Sequence, residues 1–160
     1  MRIGFGYDVH RFTANRPLVL GGLTVPFTHG LRGHSDADVL LHAIIDALLG
    51  AASLGDIGLH FPPDDPAYKG ILSLTLLART AEALNEKGYA LSNLDSTIVC
   101  EAPKLIDHIP AMRANITRTL ACAEDQINIK ATTEEGLGFT GNGEGMAAYA
   151  VALIEKSTRP

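Results

Sequence analysis

The sequence predicts an α+β fold: a two-layer sandwich in which a mixed β-sheet carries its helices on one face, with a β-hairpin added. Three observations point there. The chain opens with strand-like alternation in "MRIGFGYDVHRF". Helix-length apolar or amphipathic stretches alternate with shorter strand-like runs. No internal repeat or low-complexity linker interrupts them. With 160 residues, 46% hydrophobic and 19% charged, the chain suits a single domain, 1–160, with a full core.

Residues 1–12 read as a strand. Alternate side chains share a face, so Asp8 and His10 project together, and Ile3, Phe5, Tyr7 and Val9 take the other side. Leu18 to Leu20 and Leu23 to Phe27 form a hairpin around Gly21-Gly22. Ser35 opens a helix as an S-x-x-D capping box, with Asp38 at its third position, and the helix runs to about Leu54. "GDIGLHFPPDDP", Gly55 to Pro66, is a loop. A second helix spans about Gly70 to Lys87 and stops at Gly88. A strand follows from Tyr89 to Glu101, ended by Ala102-Pro103. A third helix starts near Ile109-Pro110 and reaches Ala123, and Gln126 to Thr132 is a strand. "TTEEGLGFTGNGEG" is a Gly-rich loop, and Gly145 to Lys156 is expected to be a final helix.

Charge and composition exclude several classes of function. The net charge is −5 and there is no basic tract, which argues against nucleic-acid binding. No apolar run reaches the roughly 18 residues of a membrane span. The longest, Val39 to Leu54, is broken by His42 and Asp46. The first residues lack the pattern of a signal peptide. Cys100 and Cys122 are too few for a disulfide framework. These features suit a bacterial cytoplasm, or a plastid after removal of a transit peptide. Any phosphate chemistry in so acidic a chain needs metal ions and backbone N–H groups for its positive field.

The chemistry-bearing residues fall in three blocks. His42 and Asp46 share a face of an otherwise apolar helix. A buried imidazole needs a partner, and a histidine bonded to Asp46 in the core satisfies that need. Alternatively, His42 joins Asp8 and His10 in the two-histidine, one-carboxylate set of a catalytic zinc site, with Asp46 as one candidate acceptor for its other nitrogen. His34 and Ser35 precede helical N–H groups that favour anions. Asp56 is a polyol contact by its acceptor chemistry. The Gly-rich loop has neither the Walker pattern nor a dinucleotide fingerprint. Thr132, Thr133 and Glu135 there can hold a nucleotide and a hard cation, or form a capped turn.

Together, "GYDVHRF", "GGLTVPF", "GLRGHSDADVLLHAIIDALLGAASLGDIGLHFP", "APKL" and "IKATTEEGLGFTGNGEG" resemble the 2-C-methyl-D-erythritol 2,4-cyclodiphosphate synthase family, from the methylerythritol phosphate route to isoprenoids. The resemblance covers the chain from Met1 to its last segment. It implies a homotrimer with active sites between subunits. It also implies that the 2-phosphate of 4-diphosphocytidyl-2-C-methyl-D-erythritol 2-phosphate attacks the β-phosphorus, releasing CMP and closing a cyclic diphosphate. By the same resemblance, Zn²⁺ is held by Asp8, His10 and His42, and Mg²⁺ or Mn²⁺ by Glu135, with the transition state contacted by His34 and Thr133. Erythritol contacts fall on His34, Ser35, Asp56, Ile57 and Gly58, covered by Phe61, Pro62, Pro63, Asp64 and Asp65. The cytidine pocket falls on Cys100, Glu101, Ala102, Pro103, Lys104, Leu105 and Ile106, and on Ala131, Thr132 and Thr133. Glu134 adjoins the phosphates and rivals Glu135 as the metal ligand, because sequence alone does not orient the turn. Phe139 and Tyr7 line an axial channel that holds an isoprenoid diphosphate in some relatives. Pro63 stands where an acid is often found, and Gly136 and Asn142 stand at often basic positions. Two other classes stay open: a zinc phosphodiesterase that uses water, and a non-catalytic trimer that binds a cytidine nucleotide.

Overall fold

The computed structural model describes residues 1–157. Its strands and α-helices run β1 (Arg2–Thr13), β2 (Leu18–Leu20), β3 (Leu23–Val25), β4 (Gly30–Leu31), α1 (Val39–Ala52), α2 (Ile57–His60), α3 (Ser73–Glu86), β5 (Tyr89–Val99), α4 (Ile109–Leu120), β6 (Ile127–Thr132), α5 (Gly138–Gly141) and β7 (Gly145–Lys156). One sheet has the order β4-β1-β7-β5-β6, and β2-β3 is a separate hairpin. Only β5 and β6 pair in parallel within the large sheet; its other neighbours are antiparallel. The expected mixed sheet, helical layer and hairpin are all present.

Two glycines set how closely the layers meet. A Cβ on Gly4 would lie 1.9 Å from the carbonyl oxygen of Ala47, and one on Gly6 would lie 1.9 Å from that of Ala43. No other residue fits there, so α1 rests directly on β1 through the seam Ala43, Ala47 and Ala51. Small buried residues of β7, Ala148, Ala150 and Ala152, continue this close floor. Period-two alternation then places Asp8 and His10 on the same side of β1 as Gly4 and Gly6, facing the helix that carries His42. Leu40, Ile44, Leu48, Leu77, Met112 and Ile116 fill the helical layer. Burial of each large apolar side chain stabilises the fold by about 1.5–3 kcal/mol before conformational entropy is counted.

The opposite face of the sheet is bare. Ile3 and Phe5 are 71% and 63% exposed, and Tyr7, Val9, Tyr149 and Val151 surround them, with Tyr7 and Tyr149 ring centroids 5.0 Å apart. Six large apolar side chains in one open patch is more than a monomer usually leaves in water.

Several expectations are corrected. Residues 145–156 form β7, not a helix, and β7 lies between β1 and β5 in the sheet. Its alanines suggest helix by propensity, but burial alternates with period two: Met146, Ala148, Ala150, Ala152 and Ile154 face inward, with Tyr149 and Val151 outward. Asp38, not Ser35, caps α1; its carboxylate accepts from Leu41 N–H at 3.0 Å and from Gly22 N–H at 2.7 Å. Ser35 caps a turn of its own, accepting from Ala37 N–H at 3.0 Å, and Ala37 then turns left-handed at φ +59° before the helix begins. α3 starts at Ser73 because Gly70, at φ +71°, gives its N–H to the carbonyl of His34 instead. The third helix ends at Leu120, where Ala121 is left-handed. The strand expected to reach Glu101 stops at Val99, and its partner starts at Ile127.

Candidate functional site

Asp8, His10 and His42 converge where β1 passes under α1. The Asp8 carboxylate lies 2.9 Å from His10 Nε2 and 2.9 Å from His42 Nδ1, and those two nitrogens are 3.1 Å apart. The remaining nitrogens decide the tautomers. His10 Nδ1–H donates to the carbonyl of Arg32 at 2.7 Å, leaving Nε2 as a lone pair. Ser73 donates its hydroxyl to Asp36, so its oxygen accepts from His42 Nε2–H at 3.0 Å; the Ser35 hydroxyl oxygen is 3.2 Å from the same nitrogen. His42 Nδ1 is therefore a lone pair as well. Two imidazole lone pairs and a carboxylate oxygen face one point, and a cation satisfies all three.

The donor set fits a metal. Each of the three residues offers a ligand atom within 4.8 Å of the others. Two imidazoles and one carboxylate are the borderline set that zinc takes in catalytic sites with an open position. The electrostatics agree. Where no cation sits there, a proton on these nitrogens takes its place: burial alone would raise the Asp8 carboxyl, but hydrogen bonds from the protonated His10 and His42 rings outweigh it and hold the group well below the usual carboxylate range. Burial likewise opposes charge on His10, yet its bond to Asp8 leaves the imidazole more basic than usual.

Asp46 does not partner His42. Its carboxylate accepts from Ile57 N–H at 2.7 Å and so fastens the Asp56–Ile57–Gly58 turn to α1. Burial raises its carboxyl. The role expected of Asp46 falls to Ser73 and Ser35. Ser73 escaped sequence reasoning because it stands 31 positions from His42 on another helix, a distance that leaves no periodic signal.

A cavity of about 240 Å³ opens beside the triad. His10, His34, Ser35, His42, Ile57, Gly58, Phe61 and Pro63 line it, joined by Tyr68, Ile71 and Leu76, which the sequence did not single out. Asp56 caps α2 instead, accepting from Leu59 N–H at 2.9 Å, and Asp65 accepts from Ala67 N–H at 2.9 Å. Pro62 and Asp64 belong to the same covering loop, outside the cavity lining.

A second groove, about 480 Å³, forms at the carboxyl ends of the parallel pair β5 and β6. Val99 registers with Thr132, which brings two distant segments side by side. Cys100, Glu101, Pro103, Lys104, Leu105, Ile106, Ala131, Thr132 and Thr133 line the groove; Ala102 turns to a smaller hollow beside Phe12, Phe27 and His29. Crevices at such strand ends are where α/β sheets receive ligands. Burial pushes the Cys100 thiol up to about 11, so it stands neutral in the wall.

The turn after β6 separates the two glutamates. Glu134 accepts from the Thr140 hydroxyl and braces the loop. Glu135, in the left-handed region at φ +53°, is exposed and accepts from the Thr133 hydroxyl at 2.8 Å. Glu101 holds the turn from beneath, accepting from Glu134 N–H at 3.0 Å. Phe139 and Asn142 belong to the exposed end of the loop.

The YgbB family model matches residues 1–155. A 2-C-methyl-D-erythritol 2,4-cyclodiphosphate synthase of Clostridium perfringens is 59% identical over 156 residues, covering 98% of this chain and all of the relative. One from Geotalea uraniireducens is 60% identical over 156 residues, covering 98% and 99%. Among solved structures, the bifunctional IspDF of Campylobacter jejuni superimposes with a TM-score of 0.94 at 45% identity, over 97% of this chain. This chain spans 42% of that longer protein. The CDP complex of Plasmodium falciparum IspF gives a TM-score of 0.86 at 30% identity, covering 98% and 97%.

Proposed function

The chain belongs to the YgbB family, and on that premise we propose that it closes 2-C-methyl-D-erythritol 2,4-cyclodiphosphate in the methylerythritol phosphate pathway to isoprenoids. The substrate is 4-diphosphocytidyl-2-C-methyl-D-erythritol 2-phosphate; its 2-phosphate attacks the β-phosphorus and CMP leaves. One observation carries the reading: the lone pairs of His10 and His42 meet the Asp8 carboxylate at the edge of a largely apolar cavity that both histidines line.

The attacking phosphate is already anionic near neutral pH, so no general base is required. What remains is positioning and charge neutralisation. Zn²⁺ at Asp8, His10 and His42, and Mg²⁺ or Mn²⁺ at Glu135, would supply Lewis-acid neutralisation of the phosphate oxygens. His34 and Thr133 contact the reacting phosphates as hydrogen-bond donors. Ser35, Ile57 and Gly58 hold the erythritol unit, and the apolar wall of Phe61, Ile71 and Leu76 keeps water from competing with the internal nucleophile. The groove beside Lys104 and Thr132 receives the cytidine, a use supported by the CDP carried by the Plasmodium falciparum relative. Glu135 is the divalent-ion ligand, since Glu134 is occupied with Thr140.

The triad cavity and the nucleotide groove share no lining residue. A homotrimer joins them, one subunit's groove facing its neighbour's triad, with the apolar sheet face around Phe5, Tyr7 and Tyr149 buried at the centre. In that assembly Asn142 replaces an arginine's charge at the axis, so an isoprenoid diphosphate binds weakly there. The chain works as one domain, in the cytoplasm; no helix among the described residues is long and apolar enough to cross a membrane.

The test is to incubate the protein with the substrate, Zn²⁺ and Mg²⁺ and follow phosphorus NMR. Cyclic diphosphate and CMP are expected. A linear bisphosphate product would make the protein a phosphodiesterase, and tight CMP binding without turnover would make it a binding module. Sedimentation reads the trimer in the same sample.

A further inference from the structure

Four consecutive carbonyls lead into α1, and each of them is held. The carbonyl of Arg32 accepts from His10 Nδ1–H at 2.7 Å, and that of His34 from Gly70 N–H at 2.8 Å. The other two go to one side chain. Arg16 donates from Nη1 to the Gly33 carbonyl and from Nη2 to the Ser35 carbonyl, both at 2.6 Å. The guanidinium therefore spans His34, gripping the peptide groups on either side of it. His34 itself is exposed, and no hydrogen bond fixes its ring in the described structure. Its place over the cavity is set by its backbone alone.

The grip is built into the local chain. Asn15 turns left-handed at φ +61° after β1, which sends Arg16 back toward the sheet edge. Gly30 in β4 lets that turn approach: a Cβ there would lie 2.2 Å from the Pro17 carbonyl and 2.6 Å from the Arg16 carbonyl. Arg16 forms no ion pair among the described residues, and its donors go to the carbonyls instead. A planar fork with fixed donors fits two carbonyls two residues apart, whereas a lysine ammonium offers one compact point of charge.

We propose that Arg16 is a positioning residue for cyclisation: its guanidinium fixes the Gly33–Ser35 backbone and thereby places His34 against the substrate phosphates and Ser35 against the erythritol unit. The proposal rests on the reading of His34 as a transition-state contact. A misplacement of about 1 Å at a reacting centre costs on the order of a hundredfold in rate.

The test compares Arg16→Ala, Arg16→Lys and His34→Ala in the intact protein. Three readouts are needed: steady-state kinetics, amide hydrogen exchange at Asp36 and Ala37, and CMP affinity. The Asp36 N–H donates to the Ile71 carbonyl and the Ala37 N–H to Ser35 Oγ, so both report loosening of this loop. Arg16→Ala is expected to lower kcat by about 10- to 100-fold, to speed exchange at these two amides, and to leave CMP affinity unchanged, because the nucleotide groove lies elsewhere. Free guanidinium at non-denaturing concentration should restore part of kcat to Arg16→Ala, and Arg16→Lys should fall between. Unchanged exchange in Arg16→Ala overturns the proposal, as does faster exchange with full kcat. A rate loss that guanidinium does not restore, accompanied by weaker CMP binding, overturns it as general damage. His34→Ala isolates the underlying reading: if it keeps full kcat, His34 is not a transition-state contact, whatever Arg16 does to the loop.

Discussion

The metal triad and the Thr133–Glu135 turn both gather polar groups, yet the fold holds them in opposite ways. Asp8, His10 and His42 stand on β1 and α1, pressed together by Gly4 and Gly6, with side chains only 25%, 17% and 12% exposed. Every ring nitrogen among them has a partner. The turn is exposed at every residue from Ala131 to Phe139 and is braced mainly by Glu101 and the Glu134–Thr140 bond. One region is completed by its own chain; the other stands open, and in the proposed trimer it would meet substrate beside a neighbouring subunit. Preorganised ligands favour tight metal binding, and an open, braced turn favours nucleotide entry and CMP release.

The largest effect should come from breaking the closed region. His42→Ala removes one of three ligands and should abolish zinc retention, with activity falling by a thousandfold or more, on the order of the several kcal/mol that metal polarisation supplies. The proposed trimer should survive, because the sheet face around Phe5 is untouched. Atomic emission on the purified variant checks the first point and sedimentation the second. Stoichiometric zinc in His42→Ala would remove His42 from the ligand set.

Asp38 sharpens the comparison through pH. It is fully buried, and burial pushes its carboxyl up to about 6 although Gly22 and Leu41 donate to it. The folded value lies above the unfolded one of about 3.9. Its contribution is therefore complete below pH about 4 and is lost as pH rises through about 6, a change of roughly 3 kcal/mol. Thermal unfolding of wild type and Asp38→Asn, followed between pH 4.5 and 7.5, should show the wild-type advantage shrinking with pH and then levelling. A constant difference would mean that Asp38 is ionised in the folded state throughout, and one that keeps falling to the end of the range would mean that it keeps its proton.

For the open region, Glu135→Gln should keep zinc and lose the Mg²⁺ or Mn²⁺ response, with a rate loss of up to about a hundredfold. Glu134→Gln should instead loosen the loop, because Glu134 is bonded to Thr140. Metal titrations of activity separate the two. If Glu134→Gln alone loses the metal response, the turn presents the other glutamate.

The contrast also explains what the sequence could and could not tell. Asp8, His10 and His42 were legible because a two-residue period and a helix of nearly unbroken apolar residues leave polar side chains conspicuous. The groove at Cys100–Ile106 and Ala131–Thr133 emerged from a family resemblance; parallel pairing of β5 with β6 is what joins its halves. β7 was misjudged because alanine is a helix former in isolation, whereas β7 is paired on both sides and its alanines are chosen to let α1 approach. Asp46 was misassigned because spacing i, i+4 states which face a residue shares, not whether a closer donor, here Ile57 N–H, claims it. Arg16 and Ser73 left no trace at all, since each acts across a fold-level contact.

The smallest effect tests that last point within the closed region. Ser73 accepts from His42 Nε2–H and passes its own proton to Asp36, which also accepts from Ser73 N–H at 2.9 Å. This chain keeps Nδ1 of His42 unprotonated and aimed at Asp8. Partners of this kind typically change metal affinity about 10- to 100-fold. Ser35 Oγ lies 3.2 Å from the same nitrogen and can take over part of the bond. Ser73→Ala should therefore weaken zinc by about tenfold, the lower end of that range, with Ser73→Thr restoring it. Asp46→Ala should leave zinc affinity unchanged and raise KM by freeing the Ile57 turn. Competition with a chelator at fixed pH measures all three variants. Weakened zinc in Asp46→Ala with none in Ser73→Ala would mean that His42 takes its second bond from its own helix rather than across to α3.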